Sequence, residues 1–173
     1  MGDHSREPSR DGTDVHAVQP KYAIAEVERR WLVDLAAVGS LEGLPYREVE
    51  DLYIADTQLR LRKMKNDQGQ LVLKLCKKYG KSSGLSEPIT NLYLSQAEYA
   101  LLAQLHGKAV CKRRYPFHGG ALDVYLTPST FAVFEVEFPS ESEAAWYIPP
   151  TFAREEVTNN PLYSGAALAS RMA

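Results

Sequence analysis

Between residues 22 and 138 apolar and polar residues alternate, and along several segments the polar member of the alternation is a charge at every second position. Successive side chains on a strand point to opposite faces, so this pattern specifies β-strands and sorts each strand into two faces. Residues 22–33 divide into Ile24, Glu26, Glu28, Arg30 and Leu32 on one face, and Ala25, Val27, Arg29, Trp31 and Val33 on the other. Residues 131–138 repeat the division, with Glu135 and Glu137 opposite Ala132, Phe134, Val136 and Phe138.

The strands expected on this reading cover 22–33, 47–54, 57–64, 70–78, 87–94, 108–117, 121–126 and 131–138. Turn sequences such as Asn66-Asp67-Gln68-Gly69, His118-Gly119-Gly120 and Thr127-Pro128-Ser129 separate them. Eight strands with hairpin-length links predict a mainly β (α+β) fold, an eight-stranded antiparallel β-barrel with a few flanking helices. Ser95-Gln96-Ala97-Glu98 is a capping box that opens a helix carrying Leu101, Leu102 and Leu105 on one face, with Gly107 as its stop. Asp34 caps a short helix through Ala37, and Pro161 opens a last one running to Ala169. Three helices are available to cover the barrel from outside.

Composition narrows the classes of function. The 173 residues are enough to bury about 70% of the unfolded surface, and a charged fraction of 24% beside 45% hydrophobic residues is that of a globular chain. Net charge is only -2, so no global field attracts nucleic acid or an anionic membrane. No run approaches the roughly 20 apolar residues of a membrane span, and the first residues lack the apolar stretch of a signal peptide, which makes the cytoplasm the expected compartment. Residues 1–19, rich in Ser, Asp, Arg and Pro, read as a disordered tail that includes His4 and His16, and residues 20–173 as the folded domain. Cys76 and Cys111 stand far apart without zinc-type spacing and read as reduced strand residues.

Strand parity gathers six bases (Arg30, Arg60, Arg62, Lys74, Lys112, Arg114) and five acids (Glu26, Glu28, Asp123, Glu135, Glu137) into one class. For any one strand the alternative is a half-exposed sheet with its polar face in solvent, but taken together the opposite faces carry Leu, Val, Phe and Trp, which require a core, and the charged faces then point into the barrel. Buried charge costs several kcal/mol per ion unless paired or solvated, so such a lining suits a wet channel filled by a polyanion and its metal ions. Arg forks and Lys ammonium groups match phosphate oxygens, and carboxylates at i and i+2 converge on a hard cation. Bases for phosphate beside acids for metal is the equipment of phosphoryl or nucleotidyl transfer. The chain lacks phosphate-loop, dinucleotide and nucleophile-elbow motifs, and its basic strands lack a base-stacking platform.

Glu26-Val27-Glu28-Arg29-Arg30 resembles the E-x-E-x-K signature that opens CYTH domains, the triphosphate tunnel metalloenzymes. The likeness continues through Asp56-Thr57, Leu59-Arg60-Leu61-Arg62, Lys74, Lys112-Arg113-Arg114-Tyr115, Asp123-Val124, Glu135-Val136-Glu137, Glu156-Val157-Thr158 and Leu162-Tyr163, over about residues 21 to 170. Two departures stand out. The signature lysine is Arg30, and the strand after Lys74, commonly rich in acids in the family, reads Glu87-Pro88-Ile89-Thr90-Asn91.

The resemblance implies a tunnel that binds triphosphates with Mg²⁺ or Mn²⁺ and a metal-dependent triphosphatase acting on inorganic tripolyphosphate, with thiamine triphosphate next. By motif position it implies Glu26, Glu28, Glu135 and Glu137 as metal ligands or water-orienting groups, with Asp123 a further inward acid for the metal. It implies Arg60, Arg62, Lys74, Lys112 and Arg114 as phosphate grips, and Glu28, Arg30 and Glu137 as the catalytic set. The missing acids imply a weaker or a lost second metal. An adenylyl cyclase of the same fold and a non-catalytic polyphosphate or nucleotide binder are the alternatives. The expected partner is a triphosphate-containing small molecule, without nucleic acid or membrane, and a homodimer stays open.

Overall fold

The computed structural model describes residues 20–81, 84–126 and 131–171. The expected N-terminal tail and the Thr127-Pro128-Ser129 turn lie outside the described residues. Nine strands follow in order: β1 (Ile24–Val33), β2 (Arg47–Ile54), β3 (Leu59–Asn66), β4 (Leu71–Lys78), β5 (Ser86–Tyr93), β6 (Gly107–Phe117), β7 (Gly120–Tyr125), β8 (Ala132–Phe138) and β9 (Ala153–Glu156). The sheet runs β5-β4-β3-β2-β6-β7-β8-β1-β9, all pairs antiparallel, and an added β5–β1 pairing closes the first eight into a barrel. One edge of β1 pairs with β8 over residues 27–32. The other edge is shared, with Ile24–Val27 on β5 and Trp31–Val33 on β9.

The eight expected strands are all present. β3 starts at Leu59 rather than at residue 57 because the Thr57 hydroxyl binds the Ile54 carbonyl and accepts the Leu59 N–H, making a turn of the preceding residues. β9 was not foreseen. Its four residues are too few for alternation to register, and it exists only because β1 leaves half an edge unpaired beyond β5.

Among the described residues four short helices complete the fold: α1 (Leu35–Val38), α2 (Gln96–Leu102), α3 (Glu141–Trp146) and α4 (Gly165–Arg171). Asp34 caps α1 by accepting from the Ala36 N–H, and Ser95 and Glu98 form the expected reciprocal box on α2. Two expectations are corrected. α2 ends at Ala103, whereas Gly107 opens β6, where a Cβ would collide with the Tyr53 carbonyl. The segment from Pro161 is not one helix: a 3-10 turn over Pro161–Tyr163 breaks at extended Ser164 before α4 begins.

The outer face carries the core that the apolar parity class required. Trp31, Phe134, Val136 and Phe152 form one cluster, and Tyr115, Leu122 and Ala132 another with Leu35, Val38 and Leu41 against them. Arg29, on the same face, is held by Glu156 and by the Ala144 and Tyr147 carbonyls at the end of α3. α4 departs from the expectation of an outer cover. Its Leu168 and Ala169 pack with Val110, Tyr125 and Val133, and with Leu32 and Tyr53 beside them. Leu32, Val110, Tyr125 and Val133 belong to the inward parity class, so α4 seals one end of the barrel where the lining turns apolar. Gly165 is required there, because a Cβ would overlap the Tyr53 hydroxyl. Among the described residues no helix is long and apolar enough to cross a membrane.

Candidate active site

The barrel encloses a cavity of about 760 Å³, within the range of small-ligand sites. Eight basic side chains (Arg30, Arg60, Arg62, Lys74, Lys78, Lys81, Lys112, Arg114) and five acidic ones (Glu26, Glu28, Glu87, Glu135, Glu137) line it. Every base and every acid expected to face inward lies on this lining except Asp123. Arg113, of opposite parity, turns outward and stacks over the Tyr46 ring at 4.9 Å.

Asp123, read from the sequence as a further metal-holding acid, has a different position. It points inward from β7 but is completely buried beneath the bases, accepts two hydrogen bonds from Arg114 (2.6 and 2.7 Å), and pairs with Lys112. Its oxygens are saturated by bases. Glu135 is likewise held by bases: Arg30 Nε lies 3.0 Å from Oε1, and Arg114 binds Oε2. Burial alone would raise the Glu135 pKa, but Arg114, Lys112 and Arg30 hold it well below the usual carboxylate range. These two acids fix the aim of the bases.

Asp51 does the same on the other side of the barrel and was not singled out in the sequence. It stands opposite Arg62 in the β2–β3 register and accepts from its Nε at 2.5 Å and its Nη2 at 2.6 Å. The same parity that sorted the bases would have found it, since Val49, Asp51 and Tyr53 alternate with Glu50 and Leu52.

Two bases remain under-compensated. Arg60 Nε is buried without a hydrogen-bond partner and lies 3.8 Å from Asp51, while its Nη2 reaches only the Cys76 sulfur at 3.3 Å. Lys74 forms no ion pair with the described residues. Burial, then Arg62, Arg60 and Arg114, push its pKa below the ordinary lysine value.

At the start of β1 the lining becomes acidic. Glu26 faces Glu87 and Glu28 faces Glu137 as direct cross-strand partners, an arrangement that like charges disfavour. Lys78, a second residue that alternation from Lys74 predicts but that was not singled out, sits among them. Its Nζ touches Glu26, lies 3.1 Å from Glu28 Oε1 and 3.5 Å from Glu87 Oε2. Burial lowers its pKa, yet Glu28, Glu26 and Glu87 together raise it above the usual lysine value. Glu137 forms no ion pair with the described residues, and desolvation with the charges of Glu26 and Glu28 raises its pKa.

Among the described residues no three acidic or imidazole groups converge as a ready-made metal cage. The donor set still fits a hard divalent ion. All donors are carboxylate oxygens, the Glu28–Glu137 pair repels itself across the register, and Mg²⁺ characteristically takes one or two carboxylates together with phosphate oxygens and water.

A closed antiparallel barrel whose interior runs from an apolar seal through clustered bases to a carboxylate mouth defines a polyanion-binding site of hydrolase type. No family model matches the chain. Its sequence is 31% identical, over 156 residues, to an inorganic triphosphatase of Nitrosomonas europaea, a match covering 84% of this chain and 97% of that protein. The crystal structure of the inorganic triphosphatase NE1496 superposes with a TM-score of 0.52 at 25% identity, over 84% of this chain and 95% of the other. A second crystal structure, described as the hypothetical protein NE1496, gives 0.51 at 26% over 83% and 96%. The chain belongs to the family of this inorganic triphosphatase.

Proposed function

We propose that this protein is a metal-dependent inorganic triphosphatase of the CYTH, or triphosphate tunnel metalloenzyme, type, with tripolyphosphate as its substrate and thiamine triphosphate next in preference. The observation that carries this reading is the pair Lys74 and Arg60, positive charge inside a cavity with too few carboxylates to balance it. A polyphosphate supplies the missing anion, and its row of oxygens matches bases that converge from β3, β4 and β6.

The reaction joins a water oxygen to a terminal phosphorus, breaks the bridging P–O bond, and releases phosphate and pyrophosphate. Arg60, Arg62 and Lys74 hold one stretch of the chain of phosphates, while Lys112 and Arg114 hold another. Asp51, Asp123 and Glu135 keep these bases oriented before substrate arrives, so little reorganisation accompanies the reaction. Arg30, locked by Glu135 and by the Tyr163 carbonyl at 2.8 Å, offers fixed positive charge beside the acidic mouth and cannot donate a proton at neutral pH. Glu26, Glu28, Glu87 and Glu137 form the acidic mouth from which the ligands of Mg²⁺ or Mn²⁺ would come. Such an ion, when bound, supplies charge to phosphate oxygens and lowers the pKa of a water. Glu28 and Glu137 are also the carboxylates that would orient the attacking water. The two free thiols, Cys76 and Cys111, suit a reducing compartment and support the cytoplasm as location.

A phosphate-release panel over tripolyphosphate, thiamine triphosphate and ATP, with Mg²⁺ or Mn²⁺ and with chelator, tests the reading. Release should be fastest from tripolyphosphate and vanish with chelator. Cyclic nucleotide formation from ATP without tripolyphosphate turnover would assign the site to a cyclase instead, and tight binding without turnover of any of the three would make it a binder.

A further inference from the structure

The carboxylate mouth contains a cation of its own. The carboxylates come from three strands, Glu26 and Glu28 from β1, Glu87 from β5 and Glu137 from β8, and the ammonium reaches them from a fourth, β4. Lys78 Nζ is shared unequally among them. It lies against Glu26, reaches Glu28 through Oε1 and Glu87 through Oε2, and forms no ion pair with Glu137. Glu26 and Glu87 are register partners, so the ammonium bridges that pair and screens their mutual repulsion. The next pair along β1, Glu28 and Glu137, keeps its repulsion: among the described residues only one oxygen of Glu28 is engaged and Glu137 has no cationic partner.

We infer that Lys78 is a specificity-determining residue that fills the cation position between Glu26 and Glu87, so that the mouth accepts one divalent ion, at the Glu28–Glu137 pair, rather than two. The inference rests on the triphosphatase reading for the identity of the ion. A tethered ammonium occupies its position at no cost in concentration, and a divalent ion arriving there must displace it. At Glu28 and Glu137 a divalent ion meets the ammonium at one oxygen only, Glu28 Oε1 at 3.1 Å, and relieves a like-charge pair through the remaining oxygens. Lys78 is therefore a positioning residue: it holds Glu26 and Glu87 in place and directs the metal to their neighbours.

Titration of the purified chain with Mn²⁺ alone, followed by the electron paramagnetic resonance of the free ion, reads the stoichiometry directly. The wild type should bind one ion per chain, Lys78→Gln two, and Lys78→Arg one. Two ions in the wild type, or one in a folded Lys78→Gln, would overturn the assignment. A wild-type crystal soaked in Mn²⁺ requires no variant. Anomalous density between Glu28 and Glu137, with Lys78 still on Glu26 and Glu87, supports the inference, and density between Glu26 and Glu87 with Lys78 displaced overturns it. Calorimetry with metal-free tripolyphosphate separates this from the functional reading. Lost tripolyphosphate binding counts against the triphosphatase, whereas two Mn²⁺ ions beside intact tripolyphosphate binding count against the role of Lys78 alone.

Discussion

Arg62 and Asp51 face each other as register partners on β3 and β2 and share two hydrogen bonds inside the barrel, with Asp51 completely enclosed. Asp51 does not line the cavity, so the pair divides its labour. The carboxylate fixes the guanidinium, and the guanidinium presents its remaining donors to the lumen. Removing one partner of a buried ion pair strands the other charge, at a cost of about 3–5 kcal/mol. Asp51→Asn should lower the unfolding free energy by about that amount and weaken tripolyphosphate binding, as read by urea denaturation and calorimetry.

Acid should unfold the protein through the same carboxylates. Asp51 and Glu135 have pKa values depressed in the fold, Asp51 through Arg62 and Arg60 against the effect of burial, and Glu135 through Arg114, Lys112 and Arg30. A carboxylate depressed in the folded state contributes stability that is complete above its unfolded pKa and is lost as pH falls through the folded one. Unfolding free energy from these two groups should hold down to about pH 4 and decline below it. A series of urea melts between pH 7 and 2 measures the slope, and Asp51→Asn should flatten it.

Much of this site was legible from alternation, because a barrel strand has only two faces and the apolar one fixes which way the charged one points. Glu26, Glu28, Arg30, Arg60, Arg62, Lys74, Lys112, Arg114, Glu135 and Glu137 follow from that rule alone. Asp51 and Lys78 obey it as well but stand singly in their strands, without a row of like residues to mark them. β9 was not legible from alternation, because its place depends on β1 leaving half an edge free. The seat of α4 inside the barrel end was hidden for a related reason: the apolar stretch of the lining, Leu32, Val110, Tyr125 and Val133, is assembled from four strands and appears in no single one.

Lys74 makes anion binding sensitive to alkaline pH. Its pKa is lowered by burial and by Arg62, Arg60 and Arg114, and only its ammonium form attracts phosphate. Tripolyphosphate affinity should therefore fall as pH rises through this lowered value, earlier than for an ordinary lysine. Lys74→Arg should hold its affinity to higher pH, since arginine stays charged. Lys74→Ala should lose about 1.5–3 kcal/mol of binding at neutral pH, the worth of a hydrogen bond to a charged group. Calorimetric titrations between pH 7 and 10 read all three.

A ligand that binds only the folded barrel stabilises it by mass action, by about 2.7 kcal/mol at a hundred times its dissociation constant. Millimolar tripolyphosphate should raise the melting temperature by several degrees, and sodium chloride of equal ionic strength should not. Equal shifts in the two salts would reduce the interaction to general screening.

Glu28→Gln should separate chemistry from binding. It keeps size and hydrogen bonding but removes a charge proposed to hold the metal, so turnover should collapse while metal-free tripolyphosphate binding persists or tightens through lost repulsion. A variant that loses both together would place Glu28 among the groups that support the barrel rather than the reaction.

The most direct measurement is phosphorus NMR of tripolyphosphate incubated with the wild-type protein and Mg²⁺ or Mn²⁺, the metal being removed by chelation before each spectrum. The tripolyphosphate resonances should give way to phosphate and pyrophosphate in equal amounts, and a parallel sample of Arg60→Ala should turn over far more slowly. Tripolyphosphate that binds the wild type yet persists unchanged with either metal would contradict the assignment of the barrel as a triphosphatase.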